Sequence, residues 1–179
     1  MNLTTKRLIL KELTLDNLDD LRLILQDDIT MTYYGGAFSD ELVTLWLLRN
    51  LERYQTEGLG LHAVYLKDSN IMIGQCGISY QDVEGKDVLE IGYLFNKDYW
   101  HQGYATEASQ AFIDYAFTIL DADIIYSTIR ETNTPSINVA KRNHMIIYKQ
   151  YIKAFNDELM PHYLYGVTKD VYYAKNNPK

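Results

Sequence analysis

The sequence predicts a mixed α/β fold, in which one central, mostly antiparallel sheet carries helices on both faces. Apolar residues alternate with polar ones in several short segments, which favours strands, and recur every three or four residues in others, which favours helices. In chain order these segments give one strand, two helices, three strands, a helix, a strand, a helix and two strands. Because 179 residues suffice for one sizeable core, we expect a single domain over residues 1–179.

The first third of the chain is expected to form one strand and two helices. Residues 7–13 alternate as a half-buried strand does. Thr14 suits the N-cap of a first helix, along which leucines recur at helical spacing. Residues 30–38 lose this pattern and predict a loop, after which Ser39 caps a second helix over residues 40–56.

Three strands should follow, over residues 61–66, 71–83 and 88–95. Short polar turns join them, so we expect antiparallel pairing between neighbours. Gly74 and Gly77 interrupt the middle strand and indicate a bend or a bulge there.

The last of these strands leads into a glycine-containing turn and a helix. Asn96 ends the apolar run, Gly103 permits a backbone conformation closed to other residues, and helical spacing begins at Ala105. A helix that begins at such a turn presents unpaired N–H groups and the positive end of its dipole, which together suit a phosphate. A plain strand-to-helix connection is the alternative reading.

The remaining chain predicts a strand, a short helix and two final strands. Residues 124–130 form a buried strand, and Pro135 stands in the first turn of a short helix that ends near residue 143. Residues 145–152 and 163–172 are the final strands.

Composition narrows the function classes. The net charge is −7, from 17 basic and 24 acidic residues, which disfavours non-specific nucleic-acid binding. An acidic surface is compatible with a cationic acceptor such as an amine, or simply keeps the protein soluble. Cys76 is the only cysteine, so we expect it in the core of a cytoplasmic protein. No apolar run approaches the roughly 20 residues that span a bilayer, so no membrane association is expected.

Two stretches of sequence carry a resemblance to a known family. EIGY, followed by YWHQGYATEA, resembles the acetyl-CoA-binding segment of the GNAT N-acetyltransferases, and within them the RimJ/RimL-like branch. Trp100 stands where the wider superfamily has Arg or Gln. The resemblance covers about residues 5–172 and implies a GNAT-like fold, in which the central strand splays from its neighbour to open a cofactor cleft.

The resemblance implies acetyl-CoA as co-substrate, with no metal. Backbone amides of the turn would hold its pyrophosphate, and a backbone N–H near Leu94 or Phe95 would polarise the thioester carbonyl. The residues expected at the pyrophosphate are His101, Gln102, Gly103, Tyr104, Ala105 and Thr106.

A second family signature begins at Asn133 and Ser136, which would contact the pantetheine arm; local helix capping is the alternative for both. Many relatives have a tyrosine acid where this chain has Ala140, and a glycine where it has His144. We therefore expect the Ser136 hydroxyl to protonate the departing thiolate, with Tyr93, Tyr148 or water as alternatives.

Glu90 is the candidate general base. It stands alone among apolar residues of the central strand, where burial would raise its pKa toward neutrality. It would act on the acceptor amine directly or through a water. The alternative is a structural hydrogen bond to a neighbouring strand.

The expected function is transfer of an acetyl group to a primary amine, most specifically a protein N-terminal amine, by a monomer or homodimer. A small amine acceptor and a non-catalytic acyl-CoA sensor are the alternatives. The acceptor pocket is expected between the 30–38 loop, the second helix and the final hairpin. Its candidate walls are Tyr33, Tyr34, Trp46 and Tyr163.

Overall fold

The computed structural model describes residues 2–155 and 158–176. Its strands are β1 (Asn2–Thr4), β2 (Leu8–Glu12), β3 (Gly60–Leu66), β4 (Met72–Asp82), β5 (Asp87–Phe95), β6 (Ile124–Arg130), β7 (Ile146–Phe155) and β8 (Glu158–Thr168). Its helices are α1 (Leu18–Leu25), α2 (Asp40–Thr56), α3 (Tyr104–Thr118), α4 (Thr134–Arg142) and α5 (Lys169–Asn176).

All eight strands form one sheet in the order β1-β2-β3-β4-β5-β6-β8-β7. Neighbouring strands pair antiparallel, with the exception of β5 and β6. Those two run parallel and pair only at Glu90 and Tyr126. Beyond that pair they diverge and leave a gap in the middle of the sheet. The mixed sheet and its splay at the central strand are confirmed.

Helices cover both faces of the sheet, as expected. On one face α3, α4 and α5 contribute Phe112, Ala140 and Tyr172 to one core cluster. On the other face α1 and α2 contribute residues such as Leu25 and Leu47 to a second cluster. Side chains of a strand point alternately to the two faces, so successive residues of β5 serve different clusters.

The C-terminal end of the chain corrects one prediction. Residues 163–172 were expected as strand, but β8 ends at Thr168 and α5 begins at Lys169. The Thr168 hydroxyl accepts from the Val171 N–H and so starts the helix. The Tyr172 ring then packs 5.6 Å from that of Phe117. Docking on α3 therefore overrides the β-propensity of this aromatic run.

Of the two glycines of β4, Gly74 stands beside the expected bulge, whereas Gly77 has a different role. The register shift in the pairing of β3 with β4 lies at Val64 and Tyr65, and leaves Ile73 as the extra residue. Gly77 instead allows close approach, because a Cβ there would overlap the Gly60 carbonyl oxygen of β3.

The N-terminal region contains more secondary-structure elements than its sequence pattern predicts. Strand β1 was not predicted, and a 3-10 turn at Leu15–Asn17 precedes α1. Ser39 does cap α2, since its side chain accepts from the Leu42 N–H at 3.3 Å. Among the described residues, no helix is long and apolar enough to cross a membrane.

Candidate active site

The turn between β5 and α3 presents backbone donors at a helix start. His101 has φ +60° and Gly103, the N-cap of α3, has φ +81°. The amides in the first turn of any helix lack intrahelical partners, and Gly103 has no side chain that could accept from those of α3. Trp100 fixes the turn by donating from Nε1 to the Phe95 carbonyl at 2.7 Å. The arrangement suits a pyrophosphate, which the amides and the helix dipole would both bind.

Arg7, which the sequence pattern did not indicate, forms hydrogen bonds that hold this turn in place. Arg7 donates from Nη1 to the Gln102 carbonyl at 2.9 Å and from Nε to Glu107 Oε2 at 2.6 Å. Its guanidinium lies 4.3 Å from the centroid of the Tyr104 ring. Thr5 also donates to Glu107, at 2.6 Å. The segment before β2 therefore holds the turn and the first turn of α3 in a fixed relation.

Partial burial tends to raise the pKa of Glu107. Hydrogen bonds from Thr5 and Arg7 outweigh that effect and hold the pKa below its ordinary value. Glu107 is therefore a paired carboxylate, and its negative charge is balanced beside the proposed phosphate site.

One buried polar atom near this turn has no protein partner. Thr106 Oγ1 is buried and makes no hydrogen bond to any residue that the structure describes. Buried hydroxyls are normally satisfied, so an orphaned one beside an anion-binding turn fits a bound ligand with acceptor oxygens. The residues present therefore suit a coenzyme pyrophosphate.

The gap between β5 and β6 contains a cavity of about 150 Å³. It is lined by Tyr33, Tyr34, Glu90, Ile91, Gly92, Tyr93, Ser127, Thr128, Ile129, Arg130, Asn133, Ser136, Lys153, Met160 and His162. Three sequence-predicted site residues, from two separate elements, therefore meet at one place: Glu90 of β5, and Asn133 and Ser136 at the start of α4.

The two candidate oxyanion donors are not equivalent. The Asn96 N–H donates to the Ile73 carbonyl of β4, and N–H groups along an antiparallel strand alternate in direction. The Leu94 N–H is therefore directed at β4, whereas the Phe95 N–H faces the gap. Phe95 is the better placed of the two, because the ladder with β4 occupies the Leu94 amide.

Glu90 lies where the two parallel strands part. Its Oε2 accepts from the Thr128 N–H at 3.0 Å. Burial raises the pKa of Glu90 above its ordinary value, although the Thr128 hydrogen bond and the charge of Lys153 oppose the shift. The side chain thus makes the structural hydrogen bond of the alternative reading, and it also lines the cavity. A carboxylate with a raised pKa in a cleft suits a general base.

Asn133 and Ser136 both take part in hydrogen bonds at the start of α4. The Asn133 side chain accepts from the Ser136 N–H at 3.1 Å and so caps α4. The Ser136 carbonyl accepts from the Tyr93 hydroxyl at 3.0 Å. Burial strongly raises the pKa of Tyr93, so this phenol is protonated at neutral pH. Two hydroxyl donors, those of Ser136 and Tyr93, therefore belong to residues that line the cavity.

At the end of α4, His144 takes the left-handed backbone conformation that glycine usually takes, with φ +61°. Its N–H donates to the Lys141 carbonyl, and the Met145 N–H donates to the Ala140 carbonyl. These two bonds form a Schellman cap. Ala140 is fully buried, so the position of the family tyrosine is filled by core packing.

Two of the four expected acceptor walls line this cavity. Tyr33 and Tyr34 line the cavity, but Trp46 lies behind Tyr34, with ring centroids 6.5 Å apart. Tyr163 packs on the opposite face, against the core cluster of α3. Side chains of β8 alternate, so its neighbour His162 lines the cavity instead.

Tyr148 also lies elsewhere. Its side chain is 47% exposed and packs on Tyr126, so it does not line the cavity. No group of three or more metal-ligating side chains occurs in the part of the chain that the structure describes.

Comparison with known proteins agrees with this geometry. A family model described as "Acetyltransferase (GNAT) domain" matches residues 7–146. A Bacillus subtilis protein named "Uncharacterized N-acetyltransferase YnaD" is 30% identical over 143 residues, covering 79% of this chain and 81% of that protein.

Two solved structures share the fold. One is a GNAT-family acetyltransferase from Bacillus anthracis, with a TM-score of 0.79, 25% identity, and coverage of 95% of this chain and 99% of that one. The other, from Salmonella typhimurium, is described as modifying the N-terminal serine of ribosomal protein L7/L12. It has a TM-score of 0.78 and 18% identity, and covers 92% and 96% of the two chains.

Proposed function

Because the chain belongs to the GNAT acetyltransferase family, we propose that it transfers an acetyl group from acetyl-CoA to a protein N-terminal amine. The observation that carries the proposal is the position of Glu90, a buried carboxylate at the point where β5 and β6 part. The Salmonella neighbour that modifies an N-terminal serine supports this class of acceptor.

The turn at residues 101–106 would hold the coenzyme. The amides that would bind its phosphates are those of His101, Gln102, Gly103, Tyr104, Ala105 and Thr106, the last three of which lie in the first turn of α3. Gly103 lets the backbone approach a diphosphate closely, and the Thr106 hydroxyl supplies a further donor. When bound, the coenzyme supplies an activated thioester.

The Phe95 N–H would stabilise negative charge on the thioester oxygen. A fixed backbone donor aimed at developing charge is worth roughly 3 to 4 kcal/mol in acyl transfer. Trp100 contributes indirectly, because its bond to the Phe95 carbonyl, which belongs to the next peptide group, holds the end of β5 in place.

Glu90 would take the proton from the acceptor ammonium, directly or through a water. Its raised pKa brings it closer to the operating pH, where general bases work best. Its bond to the Thr128 N–H fixes the carboxylate at the edge of the gap.

The Ser136 hydroxyl would protonate the departing thiolate, and the protonated Tyr93 phenol is the alternative donor. A thiol has a pKa near 8.5, so its thiolate needs little help at neutral pH. The single cysteine, Cys76, is buried and has no disulfide partner, which fits a cytoplasmic enzyme.

Thiol release from acetyl-CoA with a panel of amines tests the proposed function. Peptides with free N-termini should be acetylated faster than spermidine or an aminoglycoside, and the same peptides with blocked N-termini should be inert. If acetyl-CoA raises the melting temperature but no amine releases thiol, the protein is a binding sensor and the catalytic proposal is wrong.

A further inference from the structure

The end of the cleft formed by β6, β7 and β8 carries two cations, Arg130 and Lys153. Both line the cavity, and neither forms an ion pair with any side chain that the structure describes. Cations in a partly desolvated cleft are costly unless an anion balances them. Among the lining side chains that the structure describes, Glu90 is the one carboxylate, and it is required at the amine.

Strand register brings these two cations to one face of the sheet. Arg130 stands opposite His162 on β8, and Lys153 of β7 stands opposite Met160. His162 and Met160 share a face because they are two residues apart. Side chains of directly opposed residues lie on the same face, so all four project toward the cavity.

The charge state of His162 reflects this environment. Burial lowers the pKa of His162, and the positive charges of Lys153 and Arg130 lower it further. At neutral pH this imidazole is therefore uncharged. The end of the cleft formed by β6, β7 and β8 thus has a positive potential, which would repel a polycation and attract an anion.

From this placement we infer that the acceptor carries a carboxylate roughly 7 Å from its reacting amine, and that Arg130 and Lys153 bind it. The scale is the backbone spacing along β6, because Arg130 lies two residues beyond Thr128, whose N–H binds Glu90, and a strand rises about 3.3 Å per residue. A peptide with Asp or Glu at its second or third position meets this requirement. The inference rests on the proposed function and specifies its acceptor.

Matched peptides test the assignment. Two peptides that begin Ser-Asp-Ala and Ser-Asn-Ala differ only in the charge at the second position. With the unchanged protein we expect kcat/KM for the Asp peptide to exceed that for the Asn peptide by about tenfold, or about 1.4 kcal/mol. In Arg130→Gln and Lys153→Gln this preference should fall toward one. The ratio between the two peptides is the readout, because Lys153 also influences the pKa of Glu90 and its loss would change the rate with either peptide.

Lys149→Gln is the control, because it removes the same charge from the same strand. Lys149 pairs with Glu84 and does not line the cavity, so the peptide preference should persist. Equal kcat/KM values for the two peptides with the unchanged protein would overturn the inference. An Arg130→Gln variant that slows both peptides equally would also overturn it.

Equilibrium binding separates this inference from the proposed function. The affinity of both peptides is measured on the protein saturated with CoA, where no turnover is needed. If the Asp peptide binds more tightly and Arg130→Gln abolishes the difference, the anion site stands even if nothing is acetylated. If both peptides are acetylated equally well, the function stands and the anion site is rejected. If neither peptide binds nor reacts, both proposals fail.

Discussion

The Arg7 guanidinium and the Glu107 carboxylate form a hydrogen-bonded ion pair across 100 positions of sequence, with Nε and Oε2 2.6 Å apart. The Arg7 backbone N–H also donates to Glu107, at 2.8 Å. The pair ties the segment before β2 to the first turn of α3, immediately beside Gly103. It therefore controls both the geometry and the net charge of the turn that would bind a pyrophosphate.

Removing Arg7 should weaken coenzyme binding more than it slows chemistry. In Arg7→Met the Gln102 carbonyl loses a donor and the Glu107 charge is left unbalanced beside the phosphates. We expect about a tenfold increase in the dissociation constant of acetyl-CoA, measured by calorimetry, and a nearly unchanged kcat. Arg7→Lys should restore part of the affinity, because it keeps the charge but not the fork of donors.

Arg22→Met provides the surface control for that experiment. Arg22 pairs with Asp19 and Asp40 away from the turn, and exposed pairs contribute little. An acetyl-CoA affinity equal in Arg7→Met and the unchanged protein would show that the pair is a fold contact only.

Gly103→Glu should abolish coenzyme binding. The substituted carboxylate would occupy the anion site, where the nearest neighbour of a Cβ is Arg7 Nη2 at 3.5 Å. Acetyl-CoA raises the melting temperature of a protein that binds it, and this increase should vanish in the variant.

Gly85→Glu is a matched control for backbone strain. Gly85 has the same φ of +81° in a hairpin turn and has open space around it. Both variants should lose similar stability without ligand, whereas Gly85→Glu should keep its response to acetyl-CoA. If acetyl-CoA raised the melting temperature of both variants equally, the pyrophosphate would bind elsewhere.

Glu90→Gln should lower the rate at neutral pH by roughly 10²-fold or more, the usual scale for loss of a general base. Acetyl-CoA affinity should barely change, because Glu90 faces the amine. The acidic limb of the pH–rate profile should disappear with the carboxylate. Steady-state kinetics from pH 5 to 9 measure both effects.

The same variant should change how stability depends on pH. The folded pKa of Glu90 lies above its unfolded value, so its contribution is fully present below the unfolded pKa and is lost as pH rises through the folded pKa. Glu90→Gln should therefore gain stability relative to the unchanged protein as pH rises from 4 toward 8. Turnover and pH profile that match the unchanged protein would make Glu90 purely structural.

Ser136→Ala should cost on the order of tenfold in kcat, and less in coenzyme binding, because the leaving thiolate needs only modest help. Tyr93→Phe is the companion variant, since it removes the other candidate proton donor. A loss confined to Tyr93→Phe would make the phenol the proton donor. A thousandfold loss in Ser136→Ala would contradict a merely assisting role.

Asp27→Asn should destabilise the protein at neutral pH and lose that effect in acid. Asp27 binds Lys97 at 2.8 Å, and the hydrogen bond from Lys97 lowers the Asp27 pKa to about 2. Stability from this lowered pKa is present above the unfolded value and is lost as pH falls through about 2. Urea unfolding at pH 7 and near pH 2 measures the difference. Asp68→Asn, on an exposed turn, should show no comparable change.

Local patterns in the sequence determined much of the site. The run from strand to Gly103 to helix depends on residues within a few positions of one another, as do the caps at Ser39 and Asn133. The sequence also predicted that Glu90 lines a cleft, because burying an isolated carboxylate in an apolar strand costs free energy.

Tertiary structure decided which side chains meet. The Arg7–Glu107 pair joins distant segments, and no local periodicity encodes it. Register across β6, β8 and β7 brought Arg130, His162 and Lys153 into the cavity and turned Tyr163 away, because a shift of one residue exchanges the faces of a strand. Because of the alternation along β5, the Phe95 N–H faces the gap whereas the Leu94 N–H is directed at β4. Strand propensity at the C-terminal aromatic run yielded to docking on α3, since the free energy of burying Tyr172 exceeds a local preference.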